Sequence, residues 1–193
     1  MSTQKWNEYL SSFDDILAGK VKTAPYHNER YLEYVKLNRS RMNRWLKTGE
    51  IRPASLEIIE KIKEPQHWYV ITEPWCGDAA HNLPFIYLLS ELNNQIELTL
   101  ILRDSAAGWM NEYLTNGSRS IPKLIVRDRN DEDIFTWGPR PDECQTLVHD
   151  LKKQEVENSE VKKRTQHWYN QDKGASIQQE ILNKLDLYLG MRS

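Results

Sequence analysis

Only two cysteines, Cys76 and Cys144, occur in the 193 residues. So few thiols cannot form a disulfide framework, and the expected compartment is a reducing cytoplasm. In that setting a cysteine is either buried and inert or exposed and reactive. Neither sign of charge is in excess. The chain carries 26 basic and 28 acidic residues, a net charge of -2, which argues against nucleic acid as a partner. Apolar runs are too short to cross a bilayer, so no membrane partner is expected. The start, Met1 to Trp6, lacks the apolar stretch of a secretory signal. The five histidines, His27, His67, His81, His149 and His167, are not spaced with the cysteines as metal ligands. No metal site and no dissociable cofactor is therefore expected. Internal repeats and low-complexity tracts are also missing.

What is present is periodicity. Trp6, Tyr9, Leu10, Phe13, Ile16 and Leu17 recur at helical spacing, and Gly19 is placed to stop that helix. Tyr31, Tyr34, Val35, Met42, Trp45 and Leu46 predict a second, longer helix ending at Gly49, and Pro53 opens a third. The period then changes. His67–Thr72 predicts a strand, residues 77–92 a helix, 96–102 a strand, 107–114 a short helix, and 121–127 and 134–137 two strands. The last two strands, separated by Asp128–Asp131, should form an antiparallel hairpin. The first two, joined through a helix, should be parallel. A helix follows Pro141, and Lys152–Arg164 reads as its solvated continuation or a linker. Ser176 with Gln179 resembles a capping box for a last helix. The expected fold class is α/β: a four-stranded mixed sheet with helices on both faces. The boundaries are 1–64 for an N-terminal helical extension, 65–153 for the core and 154–193 for a C-terminal helical extension.

The segment Thr72-Glu-Pro-Trp-Cys-Gly-Asp-Ala79 falls where the first core strand gives way to a helix. A helix N-terminus presents unpaired N–H groups and positive dipole density, which favour a thiolate. Cys76 at that junction is the candidate nucleophile, and it is expected to reach solvent. Asp78 brings negative charge near the sulfur and partly opposes the dipole. Cys144 lies on another element and is expected to pack under a helix rather than to bond Cys76. His81, five residues along the same helix, is expected to be a surface or satisfied histidine. Arg119 is expected to face solvent.

Trp75-Cys76-Gly77 resembles the active-site motif of the thioredoxin family. Pro84, eight residues after Cys76, stands where that family kinks its active-site helix, and Ile121-Pro122 opens the third core strand where the family has a cis-proline. Gly138 ends the last strand at a position lining the family's substrate groove. The whole chain is also similar to a bacterial group of thioredoxin family proteins with Trp-Cys-Gly-Asp motifs and helical extensions. The resemblance implies a thioredoxin-like core, with Cys76 catalytic and Trp75, Gly77, Asp78, Ile121, Pro122 and Gly138 forming the substrate groove. Trp137 and Trp109 are expected near it.

Departures from the family pattern are equally specific. Ala79 stands where the resolving cysteine would be, and Val70 where the buried proton-transfer acid would be. A lone Cys76 could attack a disulfide and form a mixed disulfide, which an external thiol must then resolve. The expected function is a monothiol thiol–disulfide oxidoreductase-like protein acting on a protein disulfide or a low-molecular-weight thiol. The alternative is a redox-silent thioredoxin-fold module that binds a protein partner. An iron–sulfur role of the monothiol glutaredoxin kind is disfavoured: the fourth motif position is not serine, and the glycine-rich glutathione signature is absent.

Overall fold

The computed structural model describes residues 2–191. Met1, Arg192 and Ser193, the ends of the two extensions, lie outside the described residues. The elements run β1 (Thr3–Gln4), α1 (Trp6–Leu17), α2 (Glu29–Thr48), α3 (Pro53–Ile59), β2 (Gln66–Thr72), α4 (Gly77–Ser90), β3 (Ile96–Leu102), α5 (Ala107–Glu112), β4 (Lys123–Arg127), β5 (Asp133–Trp137), α6 (Asp142–Lys153), α7 (Asn158–Asp172) and α8 (Ala175–Gly190).

The strands form one mixed sheet in the order β1-β3-β2-β4-β5. Strands β2 and β3 are parallel, with Val70 opposite Leu100. The β4–β5 pair is antiparallel, with Leu124 opposite Trp137. The sheet has five strands rather than four. The fifth, β1, spans two residues and pairs antiparallel with β3. A two-residue strand has no period of its own, and only pairing with β3 creates it.

Alternation along β2 sets the two faces. Trp68, Val70 and Thr72 are fully buried, and Thr72 meets Tyr9 of α1, the two side-chain oxygens 3.3 Å apart. Tyr69, on the other face, meets Trp109 of α5 edge to face at 5.1 Å. Helix α4 is buried around nearly its whole circumference by Ala79, Ala80, Leu83, Phe85, Ile86 and Leu89. Such a helix has no solvent stripe and belongs at the centre of the molecule. Burying a side chain such as Phe85 contributes about 2 kcal/mol. Helix α2 packs along α4, and α8 packs on α4, α3 and β5.

The C-terminal third departs from its sequence reading. Residues 152–164 are neither one continuation of α6 nor a linker: Lys152 and Lys153 end α6, and the residues from Asn158 belong to a separate helix. Helix α6 stops at Lys153, Glu155 takes a positive φ of 54°, and α7 begins at Asn158. Helices α6 and α7 share a small apolar cluster of Val148, Leu151 and Val161, separate from the main core. The main core is instead completed by Ile177, Ile181, Leu182 and Leu185 of α8. Ser176 does not cap α8. The N-cap is Gly174 at φ +80°, and Asp172 accepts from the Gly174 and Ser176 N–H groups.

Candidate active site around Cys76

The chain leaves β2 at Thr72 and turns through Glu73-Pro74-Trp75, with the Cys76 N–H donating to the Glu73 carbonyl at 2.9 Å. Cys76 is the N-cap of α4. Its Sγ accepts from the Ala79 N–H at 3.4 Å and donates to the Ile121 carbonyl at 3.4 Å. The Ile121–Pro122 peptide is cis. Gly138 closes the far side at φ +110°, and a Cβ there would meet the Pro122 carbonyl oxygen at 2.3 Å. Lys123 Nζ donates to the Gly138 carbonyl at 3.3 Å. The structure thus brings Cys76, Ile121, Pro122 and Gly138 together, flanked by Trp75, Gly77 and Asp78.

Access is where the sequence expectation fails. Cys76 is only 7% exposed, and Ile121 and Pro122 are buried. Helix α2 is bonded to the turn that leads into Cys76. Asn38 Nδ2 donates to the Pro74 carbonyl at 3.0 Å, and Arg41 donates to Asn38 Oδ1. Tyr31 meets Trp75 edge to face at 5.8 Å, and Arg103 lies over the same indole at 4.7 Å. Burial pushes the Cys76 thiol up to about 12; the Asp78 charge adds to this, and the Ala79 N–H opposes it. The resting sulfur is therefore a protonated thiol, consistent with its donating to Ile121.

Other expectations resolve individually. Trp137 is buried, and its Nε1 donates to Glu180 of α8. Trp109 lies on the opposite face of the sheet, against Tyr69 and Tyr113. Arg119 is exposed and bonds Asn111. Cys144 is fully buried in α6 and is a free thiol, as is Cys76. His81 is satisfied rather than superficial. Trp45 Nε1–H donates to its Nδ1, so the neutral ring carries its proton on Nε2 and donates to Gln166 Oε1. Burial lowers its pKa to about 3.

Five residues of the site's surroundings have no motif signature: Tyr9, Asn38, Glu73, Arg140 and Tyr169. Glu73 is 4% exposed and accepts from the Tyr26 hydroxyl and the Asp104 N–H. Burial lifts its carboxyl to about 7. Tyr169 of α7 meets α4 by stacking on His81 at 4.3 Å. No group of three or more potential metal ligands occurs among the described residues. No described helix is long and apolar enough to cross a membrane.

A cysteine capping the first helix after a central strand, in a mixed sheet ending in an antiparallel hairpin, defines the thioredoxin-like class of folds. The chain belongs to the thioredoxin family: the family profile described as thioredoxin matches residues 24–153. That match spans the whole of α2 and α3, so only β1 and α1 of the N-terminal elements lie outside it. In structure the chain is similar to a protein of unknown function from Pseudomonas aeruginosa, at 16% identity and a TM-score of 0.59 over 95% of this chain and 98% of that one. An HIV epitope scaffold is similar at 17% identity and a TM-score of 0.56, with the same coverage. These likenesses bear on the fold alone. No curated protein matches the chain.

Proposed function

We propose that this protein performs single-cysteine thiol–disulfide exchange at Cys76. The observation that carries the reading is the placement of the sulfur: N-cap of α4, accepting from the Ala79 N–H and facing the Ile121 carbonyl. In the exchange, the Cys76 thiolate attacks one sulfur of a disulfide. A Cys76–S–S–R bond forms, and the other half leaves as a thiolate. A second, external thiolate then attacks the sulfur of R and returns Cys76 as thiolate. Ala79 leaves no internal group for that second step. The substrate classes are a protein disulfide or a low-molecular-weight disulfide such as oxidised glutathione.

A second reading has its own support. A sulfur 7% exposed, with its thiol pushed up to about 12, suits a redox-silent fold that binds a protein partner. Incubation with oxidised glutathione, followed by peptide mass spectrometry, separates the two. A glutathione adduct on Cys76, lost in Cys76→Ser and reversed by free thiol, is the expected result. No adduct at Cys76 across neutral to alkaline pH would leave the binding reading standing.

A further inference from the structure

One charged cluster reaches the first turn of α4 from two distant parts of the chain. Asp78, the second residue of α4, is held by Arg140 in a two-point fork, Nε to Oδ1 at 2.9 Å and Nη2 to Oδ2 at 2.6 Å. Tyr169 of α7 donates to the same Oδ1 at 3.0 Å, and Asn82 Nδ2 donates to the Tyr169 hydroxyl at 3.1 Å. Arg140 Nη1 is fixed in turn on Gln145 Oε1 at 3.1 Å. A carboxylate in the first turn of a helix is already favoured by the dipole and needs no such holding. Here it is saturated with donors and largely removed from solvent, with 15% of its side chain exposed.

Its neighbour in the chain, one residue removed, is the buried sulfur. Charges in a poorly screened interior act over several ångströms, so the carboxylate opposes a thiolate at Cys76 and the guanidinium favours it. Other groups also face the site: Glu73, in the turn before Cys76, is lifted by burial to about 7 and is partly charged near neutral pH, and Arg103 lies over the Trp75 indole. Tyr9 from α1 and Cys144 from α6 are neutral, burial holding both well above their usual range. Arg41 from α2 lies where a side chain on Gly77 would meet its Nη1 at 3.5 Å. Asp78 is thus a negative charge two positions from the sulfur, and Arg140 is the group that cancels it; Glu73 lies outside the fork and is common to every variant compared below.

We propose that Asp78 and Arg140 are positioning residues for Cys76: a matched charge pair, locked by Tyr169, that sets how readily the sulfur ionises. The C-terminal extension is thereby tied to the chemistry of a sulfur that it does not touch. The proposal deepens the exchange reading and rests on it for its purpose, but its content is the acidity of the thiol.

The test is iodoacetamide labelling of Cys76 in the full chain against pH, read peptide by peptide so that Cys144 is counted separately. Asp78→Asn leaves Arg140 unopposed and should raise labelling about tenfold at a fixed pH below the midpoint. Arg140→Gln should move the midpoint upward. The double variant should return it close to wild type, and Arg140→Lys, which keeps the charge, should hold it there. General loosening of the site would speed labelling in every variant and could not give opposite signs. The proposal is overturned if Asp78→Asn leaves the midpoint unchanged or raises it, or if both single variants move it downward. The glutathione experiment is independent. Opposite shifts without an adduct would sustain the charge pair and remove the exchange reading, and an adduct without shifts would do the reverse.

Discussion

Asn38 of α2 reaches across to the active-site turn and donates its side-chain N–H to the Pro74 carbonyl at 3.0 Å, while Arg41 Nη1 donates to its Oδ1. Asn38 is 1% exposed, so it satisfies a buried carbonyl two residues before the cysteine and fixes α2 over it. Replacing it with alanine strands both partners. Asn38→Ala should lower stability by about 1–3 kcal/mol, read from denaturant unfolding. It should also speed alkylation of Cys76 at fixed pH. Unchanged alkylation would mean that α2 is not what shields the sulfur.

Glu73 makes stability depend on pH. Its carboxyl is raised from 4.5 to about 7, chiefly by burial. The folded state therefore holds a proton that the unfolded state releases, and the contribution is fully present below about pH 4.5 and lost as pH rises to about 7. The size is about 3 kcal/mol. His81, lowered to about 3, acts in the opposite direction, costing stability as pH falls below 6.5. Comparison with Glu73→Gln cancels the His81 contribution. Between pH 4.5 and 7 the variant should gain about 3 kcal/mol relative to wild type. Parallel stability curves for the two would contradict this.

Gly138 joins β5 to the loop that carries Arg140. At φ +110°, with only 2.3 Å between a Cβ and the Pro122 carbonyl oxygen, any side chain is doubly excluded. Gly138→Ala should cost at least about 2 kcal/mol, measured as a fall in the denaturation midpoint. It should also weaken the Asp78–Arg140 fork by displacing the loop.

Ala79 is the simplest gain-of-function position. Its N–H already donates to the Cys76 sulfur at 3.4 Å, one helical turn into α4. Ala79→Cys should form an internal disulfide with Cys76 on mild oxidation, seen as a loss of two hydrogen masses with both cysteines blocked to alkylation. Oxidised glutathione should then yield that disulfide instead of a stable mixed adduct. Persistence of two free thiols would show that the turn cannot hold a disulfide.

Much of the core was legible from local pattern. Helical spacing, β-rich runs and Gly/Pro breaks located α1 to α5 and β2 to β5, and the strand spans 66–72 and 96–102 came out within one residue. The junction around Cys76 was equally legible, since a β-rich run followed by a helical one can hardly place residue 76 elsewhere. The two-residue strand β1, the break between α6 and α7, and the start of α8 were not. Each depends on a distant partner: β3 for β1, the α6–α7 apolar cluster, and Asp172 with the Gly174 turn for α8.

The amino-acid sequence alone determined that one cysteine would stand at a strand–helix junction with no second cysteine at residue 79, because those facts are local. Tertiary structure decided the state of that cysteine. Asn38 ties α2 to the turn before it, and Arg140 and Tyr169 hold the Asp78 charge beside it; they lie 38, 64 and 93 positions from it in the chain. Solvation and Coulomb interactions depend on distance in space, and that distance is set only when α2 folds over the active-site turn and the loop after β5 and α7 close on Asp78.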